Sequence, residues 1–473
     1  MSQPGPGAIP GEPTHEVVNQ AVPLADLDLF ATDRALVDAV RREAPGRDPG
    51  PLSAFGAALG RAETLEAGRL ANEHPPRLRA FDRYGRRIDE VEFHPAWHRV
   101  MALAVEHGTH ALAWRERTPG AHVERAAKLL LLSEVEAGAC CPLTMTFAAL
   151  PALAHEPALA AEWEPWLTAT SYDPRPVHPA EKGSALCGMA MTEKQGGSDL
   201  RQISTRAEPR ADGWFALYGH KWFCSAPMCD AFLTLARTEA GVTCFLVPRV
   251  LPDGARNAIG LQRLKDKLGN RSNASGEIEY RGTLARRVGE PGRGIATILE
   301  MVQHTRLDCI AGSAGLMRRA VAEALHHVSF RRAFGRRLAD QPLMREVLAD
   351  LAVDAEAAAA TALRLARAFG LAADDPREAA LARLATAACK FFFTKRAVEV
   401  TFEAMEVLGG NGYVEEFPLA RLYREAPVNS IWEGSGNVIA LDVIRACERE
   451  PAGLDALLGE VDAARGAHPA LDG

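Results

Sequence analysis

The strongest constraint on how this chain folds is a change in the pattern of residue types in its middle part. Residues from Ala185 to about Val288 form short runs rich in aromatic and β-branched residues, among them WFALYGHKWFCSA, AFLTLART and TCFLVPRV. Such runs, with tight-turn pairs at Asp212-Gly213 and Asp253-Gly254, predict antiparallel strands. On both sides of this region, apolar residues recur at three- and four-residue spacing, which is typical of packed helices. The sequence therefore predicts an α+β protein with a small β-barrel or sandwich between two helical regions.

These changes of pattern divide the chain into five segments. We expect a disordered Pro/Gly-rich tail (1–14), an N-terminal helical domain (15–184), a β domain (185–290), a C-terminal helical bundle (291–447) and a short acidic tail or one extra helix (448–473). The prolines of YDPRPVHPAEKGS interrupt the helical pattern before the β domain. Two apolar stripes are predicted to pack inside the bundle: Met344, Leu348 and Leu351, and then Phe391, Val398 and Phe402.

Size, charge and cysteine content narrow the class of protein. A chain of 473 residues is long enough for several domains. Its net charge of -7 argues against general binding to polyanions, although a local basic patch remains compatible with it. The 9 cysteines include no CxxC pair, which favours reduced thiols over a disulfide framework and predicts no metal site. We find neither a signal peptide nor an apolar run long enough to span a bilayer, so we expect a cytoplasmic protein with no membrane partner.

One isolated carboxylate raises a question about function. The stretch NSIWEGSGN places Glu433 between a tryptophan and a glycine, directly before the apolar run VIALDVI. An unpaired charge is costly where the chain enters packed structure. On this stretch alone, Glu433 could be a structural carboxylate held by backbone N–H groups or an arginine, or a catalytic group with a shifted pKa.

A second feature is the glycine-rich stretch GMAMTEKQGGSD, Gly188 to Asp199. An apolar strand leads into Thr192, a glycine pair and Ser198, so that hydroxyl and N–H groups can converge on a ring edge or a phosphate. Taken alone, the same stretch is also compatible with an ordinary hairpin turn.

Five stretches, in order along the chain, resemble the motifs of the acyl-CoA dehydrogenase superfamily of flavoproteins. They are GMAMTEKQGGSD, HKWFCSA, RRAFGRRLADQ, EVLGGNGYVEEFPLARLYRE and WEGSGN. The resemblance covers residues from about 20 to 445. It implies the fold of that superfamily, which has an N-terminal helical domain, a central antiparallel β-barrel or sandwich and a C-terminal helical bundle. It also implies noncovalently bound FAD and a small-molecule substrate of the acyl-CoA type.

The resemblance also implies which residues bind FAD. Those near the flavin would be Met189, Met191, Thr192, Gly197, Ser198, Trp222, Phe223, Cys224, Ser225, Ile431, Trp432, Ser435, Gly436 and Asn437. Cys224 stands where a hydroxyl is common in the family, which weakens one expected flavin hydrogen bond. A further group would complete the FAD site of a neighbouring subunit: Arg331, Phe334, Gln341, Glu406, Gly409 and Gly410. Sharing of this kind implies a homotetramer, or at least a dimer.

The resemblance gives Glu433 a catalytic role. It falls where most family members place the base that removes the α-proton of an acyl thioester. A desolvated carboxylate suits that task, because burial raises its pKa toward neutral. Some relatives carry the base directly before the arginine of MVQHTRLDC, but here that residue is Thr305, which cannot serve. Glu433 is therefore the family-type base, and Arg306 is assigned to substrate binding.

Within the superfamily, three stretches resemble the AidB branch, which is associated with DNA alkylation damage. They are THEVVNQAVPLADLDLF, MTEKQGGSD and FLVPRVLPDGARNAIGLQRLKDKLGNRSNAS. This leaves two main functions open: desaturation of an acyl thioester or related substrate, or an AidB-like protective flavoprotein with weak dehydrogenase activity. A flavin oxidase or N-oxygenase is a third. AidB-type proteins can carry a basic C-terminal DNA-binding domain, whereas the last segment here is acidic, so DNA binding is disfavoured. The electron acceptor and the acyl chain stay open.

Overall fold

The computed structural model describes residues 14–468. Apart from its last residue, the predicted disordered tail (1–14) therefore lies outside the described residues. Within the described range, no helix combines the length and the hydropathy that a bilayer crossing requires.

The N-terminal part is mainly helical, as predicted. Its helices are α1 (Arg34–Glu43), α2 (Gly50–Leu59), α3 (Ala62–Glu73), α4 (Pro95–Glu106), α5 (Leu112–Glu116), α6 (Ala121–Val135), α7 (Ala137–Leu153), α8 (Pro157–Leu167) and α9 (Pro179–Lys182). The buried helices α6 and α7 pack against the C-terminal bundle, so the two helical regions share one apolar core.

The sequence did not predict a β-hairpin that interrupts these helices. Its antiparallel strands are β1 (Arg77–Phe81) and β2 (Arg87–Glu92). The turn is held by Asp82, whose carboxylate accepts hydrogen bonds from the backbone N–H groups of Tyr84 at 2.8 Å and Arg86 at 2.9 Å. Gly85 adopts a positive φ of 80° in this turn, which favours glycine.

The central region is a seven-stranded sheet, which confirms the predicted β domain. Its strands are β3 (Cys187–Ala190), β4 (Arg206–Pro209), β5 (Phe215–Ser225), β6 (Ala231–Thr238), β7 (Gly241–Pro248), β8 (Ile259–Leu264) and β9 (Ser275–Val288). Because β9 pairs with β5 as well as with β7, and β4 pairs with both β5 and β6, the sheet closes into a barrel. Most pairs are antiparallel as expected, but β3 and β4 run parallel to β6.

The C-terminal part is a bundle built on three long helices. In order the elements are α10 (Gly294–Phe330), the short strands β10 (Arg332–Ala333) and β11 (Arg336–Arg337), α11 (Pro342–Leu371), α12 (Pro376–Val407), α13 (Gly410–Tyr413), α14 (Pro418–Glu425), α15 (Val428–Ile431), α16 (Gly436–Arg449) and α17 (Ala452–Asp462). Proline is the first residue of α11 and of α12, where its missing N–H costs no helical hydrogen bond. Asp375 caps α12 by accepting from the Arg377 backbone N–H at 2.8 Å.

The end of the described chain is the extra helix that the sequence left as one of two possibilities. Helix α17 packs against α12. Arg364 on α11 is held between Glu378 at 2.8 Å and Glu460 at 2.8 Å, which ties α17 to the bundle. The acidic side chains of this segment therefore take part in packing and are not all solvated.

The two predicted apolar stripes differ in their surroundings. Leu348 and Leu351 are buried in the core, as predicted. Phe391 and Phe402 are 39% and 44% exposed, so the prediction that they pack inside the bundle of this subunit is wrong. Periodicity identifies an apolar face but does not say whether the same chain covers it.

Candidate active site

Glu433 lies in the turn between α15 and α16, opposite the middle of α10. Its φ is 57°, a left-handed conformation that costs a residue with a side chain about 1 kcal/mol. The hydroxyl of Thr305 lies 2.7 Å from carboxylate Oε2 of Glu433 and 3.0 Å from the Val302 carbonyl oxygen. Thr305, the residue before Arg306, is thus in direct contact with Glu433.

Burial is the largest influence on this carboxyl group, and it raises the pKa of Glu433 above its ordinary value. The hydrogen bond from Thr305 and the positive charges of Arg306 and Lys390 act in the opposite direction without cancelling it. Glu433 is therefore a carboxylate whose affinity for a proton is increased, as a general base requires.

Two cations fix the turn that carries Glu433. Arg306 donates from Nε to the Glu433 carbonyl oxygen at 3.0 Å and pairs with Asp442 at 2.6 Å. Lys390, which is buried on α12, donates to the carbonyl oxygens of Trp432 at 2.8 Å and Gly434 at 2.6 Å. Arg306 does not line the pocket described below, so its predicted role in substrate binding stays a prediction, and its contacts are those of a positioning residue.

A pocket of about 590 Å³, including space open to solvent, lies in front of the Glu433 carboxylate. Its wall combines residues of α7, α10, α14, the barrel and the Glu433 turn, among them Thr144, Met145, Ser225, Asp308, Glu425 and Trp432. The other two acidic side chains of this wall, Asp308 and Glu425, already have partners. Asp308 pairs with Arg125 and accepts from Thr144 at 2.7 Å, and Glu425 accepts from the Asn270 backbone N–H at 2.8 Å.

The glycine-rich stretch pairs with the end of β5, and the end of β5 reaches this pocket. Met189 on β3 pairs with Ser225 on β5, and Ser225 lines the pocket together with Glu433. The Trp222 backbone N–H donates to the Thr192 carbonyl oxygen at 2.7 Å. The structure thus brings together three of the five predicted motifs, from widely separated parts of the chain.

The other predicted residues of these motifs are distributed around the loop and the turn. Met191, Thr192, Trp222 and Ser225 are half-buried, and Phe223 is 46% exposed. Around Glu433, Ser435 occupies the N-cap position of α16 without a side-chain capping hydrogen bond, α16 begins with Gly436 and Asn437, and Ile431 is 64% exposed. The Trp432 indole donates to the Asn429 side chain at 3.0 Å.

Cys224 does not fit its predicted role as a side-chain ligand. Its thiol is fully buried in the core of the barrel, on the side away from the exposed Phe223 ring. The reason is an irregularity in the β5–β9 register between Lys221 and Cys224, which buries residues three apart where regular alternation would bury every second one. Only the backbone of Cys224 remains available to a cofactor.

An ion pair that was not predicted from the sequence supports the glycine-rich loop. Glu193 and Lys221 are both fully buried, and their charged atoms lie 2.8 Å apart. Glu193 also accepts from the Ser204 backbone N–H at 2.6 Å and the Thr205 backbone N–H at 3.1 Å. Burial alone would raise the pKa of Glu193, but the charge of Lys221 and these hydrogen bonds outweigh it and hold that pKa well below its ordinary value. In the sequence, the glutamate of MTEKQ and the lysine of GHKW were the residues that could have indicated this ion pair.

A second group of predicted cofactor residues lies far from this pocket. Arg331, Phe334 and Gln341 follow the end of α10, and about 25 residues of helix, or about 38 Å, separate that end from Thr305. Glu406, Gly409 and Gly410 lie at the end of α12, about 24 Å along that helix from Lys390. The ring of Phe334 is 97% exposed, and its φ is 53°.

Comparison with known proteins shows the family of this chain. The family model of the adaptive response protein AidB N-terminal domain matches residues 19–174. Those of the acyl-CoA dehydrogenase middle and C-terminal domains match residues 188–283 and 292–447. The putative acyl-CoA dehydrogenase AidB of Escherichia coli is 51% identical over 94% of this chain and 83% of its own length. The chain belongs to the AidB-like acyl-CoA dehydrogenases.

Solved structures agree with this membership in the acyl-CoA dehydrogenase superfamily. ACDH-11 of Caenorhabditis elegans, solved in complex with C11-CoA, is 30% identical and superimposes with a TM-score of 0.88 over 98% of this chain and 82% of its own. Butyryl-CoA dehydrogenase from Megasphaera elsdenii shares the fold at 20% identity, with a TM-score of 0.66 over 88% of this chain and 99% of its own. The AidB-like chain is therefore an FAD-binding flavoenzyme, an oxidoreductase.

The loop and the Glu433 turn fit FAD chemically. A Cβ at Gly197 would lie 2.4 Å from Oγ1 of Thr192, so only glycine lets the loop fold back on that hydroxyl. Within residues 14–468, the side-chain hydroxyls of Thr192, Ser198 and Ser435 make no hydrogen bond to the protein. These free donors and acceptors match the polar edge of a flavin ring and its phosphates. The described residues contain no cluster of side chains suited to a metal ion.

We predict that Thr305→Val shifts the pH dependence of flavin reduction. The Thr305 hydroxyl lowers the pKa of Glu433, so its removal raises that pKa further. A base works in its deprotonated form, and its rate is lost as the pH falls through its pKa. The acidic limb of the single-turnover rate should therefore move to higher pH, while Thr305→Ser, which keeps the hydroxyl, should retain the wild-type profile. Identical profiles for Thr305→Val and wild type would show that the hydroxyl does not influence the base.

Proposed function

We propose that this flavoenzyme desaturates the α,β-bond of an acyl thioester or a related small substrate, with Glu433 as the base. The observation that carries this proposal is the position of Glu433. Its carboxylate faces a pocket, has a pKa raised by burial, and accepts a hydrogen bond from Thr305 at 2.7 Å.

In the proposed reaction, the Cα–H bond of the thioester breaks and its proton passes to the Glu433 carboxylate. The Cβ–H bond breaks with its electron pair, and the Cα=Cβ double bond forms. Bound FAD supplies the acceptor for that hydride. Arg306 and Lys390 hold the turn by its carbonyl groups, so the carboxylate meets the substrate in a fixed orientation. The new proton is shared with Thr305, whose hydroxyl can accept as well as donate.

Anaerobic titration of the FAD-loaded protein with a panel of acyl-CoAs of increasing chain length tests the proposal. At least one member should bleach the flavin absorbance rapidly and yield the enoyl thioester. A protein that holds FAD and stays oxidised with every acyl-CoA would contradict the proposal.

The second candidate is an AidB-like protective flavoprotein that binds DNA or an alkylating agent and has weak dehydrogenase activity. The match to the AidB N-terminal domain favours it. The same titration separates the two functions: no bleaching, together with salt-sensitive retention of DNA, supports the protective role. Bleaching without DNA retention supports the dehydrogenase. Consumption of oxygen with formation of peroxide or an oxygenated product would indicate an oxidase or N-oxygenase.

The proposed assembly is a homotetramer in which one subunit completes the FAD site of another. The distance of Arg331 and Phe334 from the pocket of their own subunit supports it. The exposed rings of Phe391 and Phe402 provide an apolar face for a second copy of this chain.

We predict that Phe334→Ala weakens FAD binding about tenfold or more. Burying a phenylalanine side chain is worth about 1.5 to 3 kcal/mol, and about 1.4 kcal/mol corresponds to a factor of ten in affinity. Fluorescence titration of the apoprotein with FAD measures the effect. Tyr84→Ala is the matched control, because Tyr84 is 74% exposed on a hairpin that carries no flavin motif. Equal FAD affinity in all three proteins, or a monomer with full FAD occupancy, would remove the argument for a shared site.

A further inference from the structure

A second cavity lies on the outside of the barrel, away from the Glu433 pocket. It has a volume of about 920 Å³, including space open to solvent, and lies between the β1–β2 hairpin and strands β8 and β9. The segment between β7 and β8 forms much of its wall. Among the described residues, the cavity and the Glu433 pocket share no lining residue. The proposed dehydrogenase reaction therefore makes no use of it.

One side of this cavity is apolar. Phe232, Leu261 and Ile278 are each at most 3% exposed, and they present their side chains to the cavity together with Pro227 and Val250. A surface of this kind favours the apolar body of a ligand over water.

The other side is strongly basic. Four arginines line the cavity against a single carboxylate, that of Asp89. Three of the arginines have acidic partners: Arg87 pairs with Asp89 at 2.7 Å, Arg256 with Glu90 at 2.6 Å, and Arg281 with Glu279 at 2.6 Å.

Arg249 is the exception. Among the described residues its guanidinium forms no ion pair, and its one side-chain hydrogen bond runs from Nη1 to the Met228 carbonyl oxygen at 3.0 Å. The carboxylate of Asp230 is already engaged by Lys182 at 2.8 Å and by the Leu186 backbone N–H at 2.9 Å. Burial lowers the pKa of Arg249, and the nearby charge of Asp230 offsets this effect only in part. A guanidinium has five donors, so most of those on Arg249 lack an acceptor.

Arg249 also reaches a neighbouring cavity. This neighbouring cavity has a volume of about 610 Å³ and is lined by His98, Tyr172 and Lys182, among others. It shares Arg249 and Pro176 with the cavity beside the β1–β2 hairpin. The guanidinium therefore lies between two open spaces, where a ligand can approach it without displacing a packed side chain.

We propose that this cavity binds a small organic anion, a carboxylate or phosphate ester with an apolar body. The planar fork of Arg249 receives the anionic group, a geometry that suits both carboxylate and phosphate oxygens. The apolar body lies against Phe232, Leu261 and Ile278. Arg249 and Arg256 belong to the stretch FLVPRVLPDGARNAIG, which none of the flavin motifs includes.

Calorimetric titration of the FAD-loaded protein with octyl phosphate, octanoate and 1-octanol tests the proposal. We expect at least one of the two anions to bind tenfold or more tightly than the neutral alcohol, and the tighter anion identifies the head group. Arg249→Gln should weaken that binding tenfold or more. Arg206→Gln is the control, since Arg206 is an exposed arginine on β4 that pairs with Glu208 and lies outside the cavity.

A second variant keeps the test decisive if Arg249→Gln folds poorly. Ala258 is exposed and lines the cavity, so the indole of Ala258→Trp should fill the cavity without disturbing the core. It should abolish anion binding while FAD content and melting temperature stay at the wild-type values. Anion affinities that are equal in wild type and Ala258→Trp, or a wild type that binds octanol as tightly as both anions, would overturn the proposal.

Discussion

Glu433→Gln should reduce flavin about a hundredfold to ten-thousandfold more slowly than wild type when mixed with a true substrate. A positioned acid–base group contributes about this factor, or about 3 to 5 kcal/mol of barrier. The amide keeps the shape of the carboxyl group and can still pair with Thr305, so the turn should be retained. Stopped-flow absorbance under anaerobic conditions measures the rate per bound flavin.

The control for this experiment is Glu448→Gln, which neutralises an exposed carboxylate on α16, the helix that follows the Glu433 turn. It should reduce flavin at the wild-type rate. If Glu433 were only structural, Glu433→Gln would lower the melting temperature or the FAD content and leave the rate per flavin near normal. An unchanged rate at full FAD occupancy would rule out the catalytic role.

Lys221→Met should destabilise the protein by about 3 to 5 kcal/mol, because it leaves the buried carboxylate of Glu193 without its partner. The loop that Glu193 supports carries Thr192 and Ser198, so FAD content should fall as well. Chemical denaturation, followed by tryptophan fluorescence, measures the stability. The lowered pKa of Glu193 stabilises the wild-type protein at every pH above the pKa of a free glutamate. This stabilisation is lost only in strong acid, as the pH falls through the lowered pKa.

The double variant Lys221→Met with Glu193→Gln tests the cause of this destabilisation. It removes both charges, and replacement of a whole buried pair is far less costly than loss of one partner. We expect the double variant to recover a large part of the lost stability. A double variant that is as unstable as the sum of its two single variants would show that the two side chains act independently.

The flavin motifs were predictable because each is a local pattern in the sequence. The strand before Thr192 and the turn around Glu433 were both located from neighbouring residues. The contact between Thr305 and Glu433 was not predictable, since the two residues lie 128 positions apart and only the fold brings them together. The same holds for Arg306, whose partners come from α16 and the Glu433 turn.

Two features, the β1–β2 hairpin and the side-chain direction of Cys224, could not be predicted from local sequence patterns. The strands of the β1–β2 hairpin are short and mix charged with apolar residues, so they lack the aromatic and β-branched runs of the central strands, and the turn residues Asp82 and Gly85 were the clearest mark of the hairpin. Cys224 was assigned to the cofactor through the resemblance of HKWFCSA to a family motif, whereas the irregularity after Lys221 turns its side chain into the core. A β-bulge of this kind depends on the partner strand and leaves little trace in one strand alone.

Exchange of the α-proton of a bound acyl-CoA with solvent deuterium tests the role of Glu433 most directly. The substrate found by anaerobic titration is incubated in D₂O with wild type and with Glu433→Gln, and mass spectrometry follows deuterium at Cα of the recovered thioester. The proposed mechanism predicts incorporation with wild type and a loss of at least a hundredfold in the exchange rate with Glu433→Gln. Equal exchange rates in the two proteins, both loaded with FAD, would contradict the assignment of Glu433 as the base.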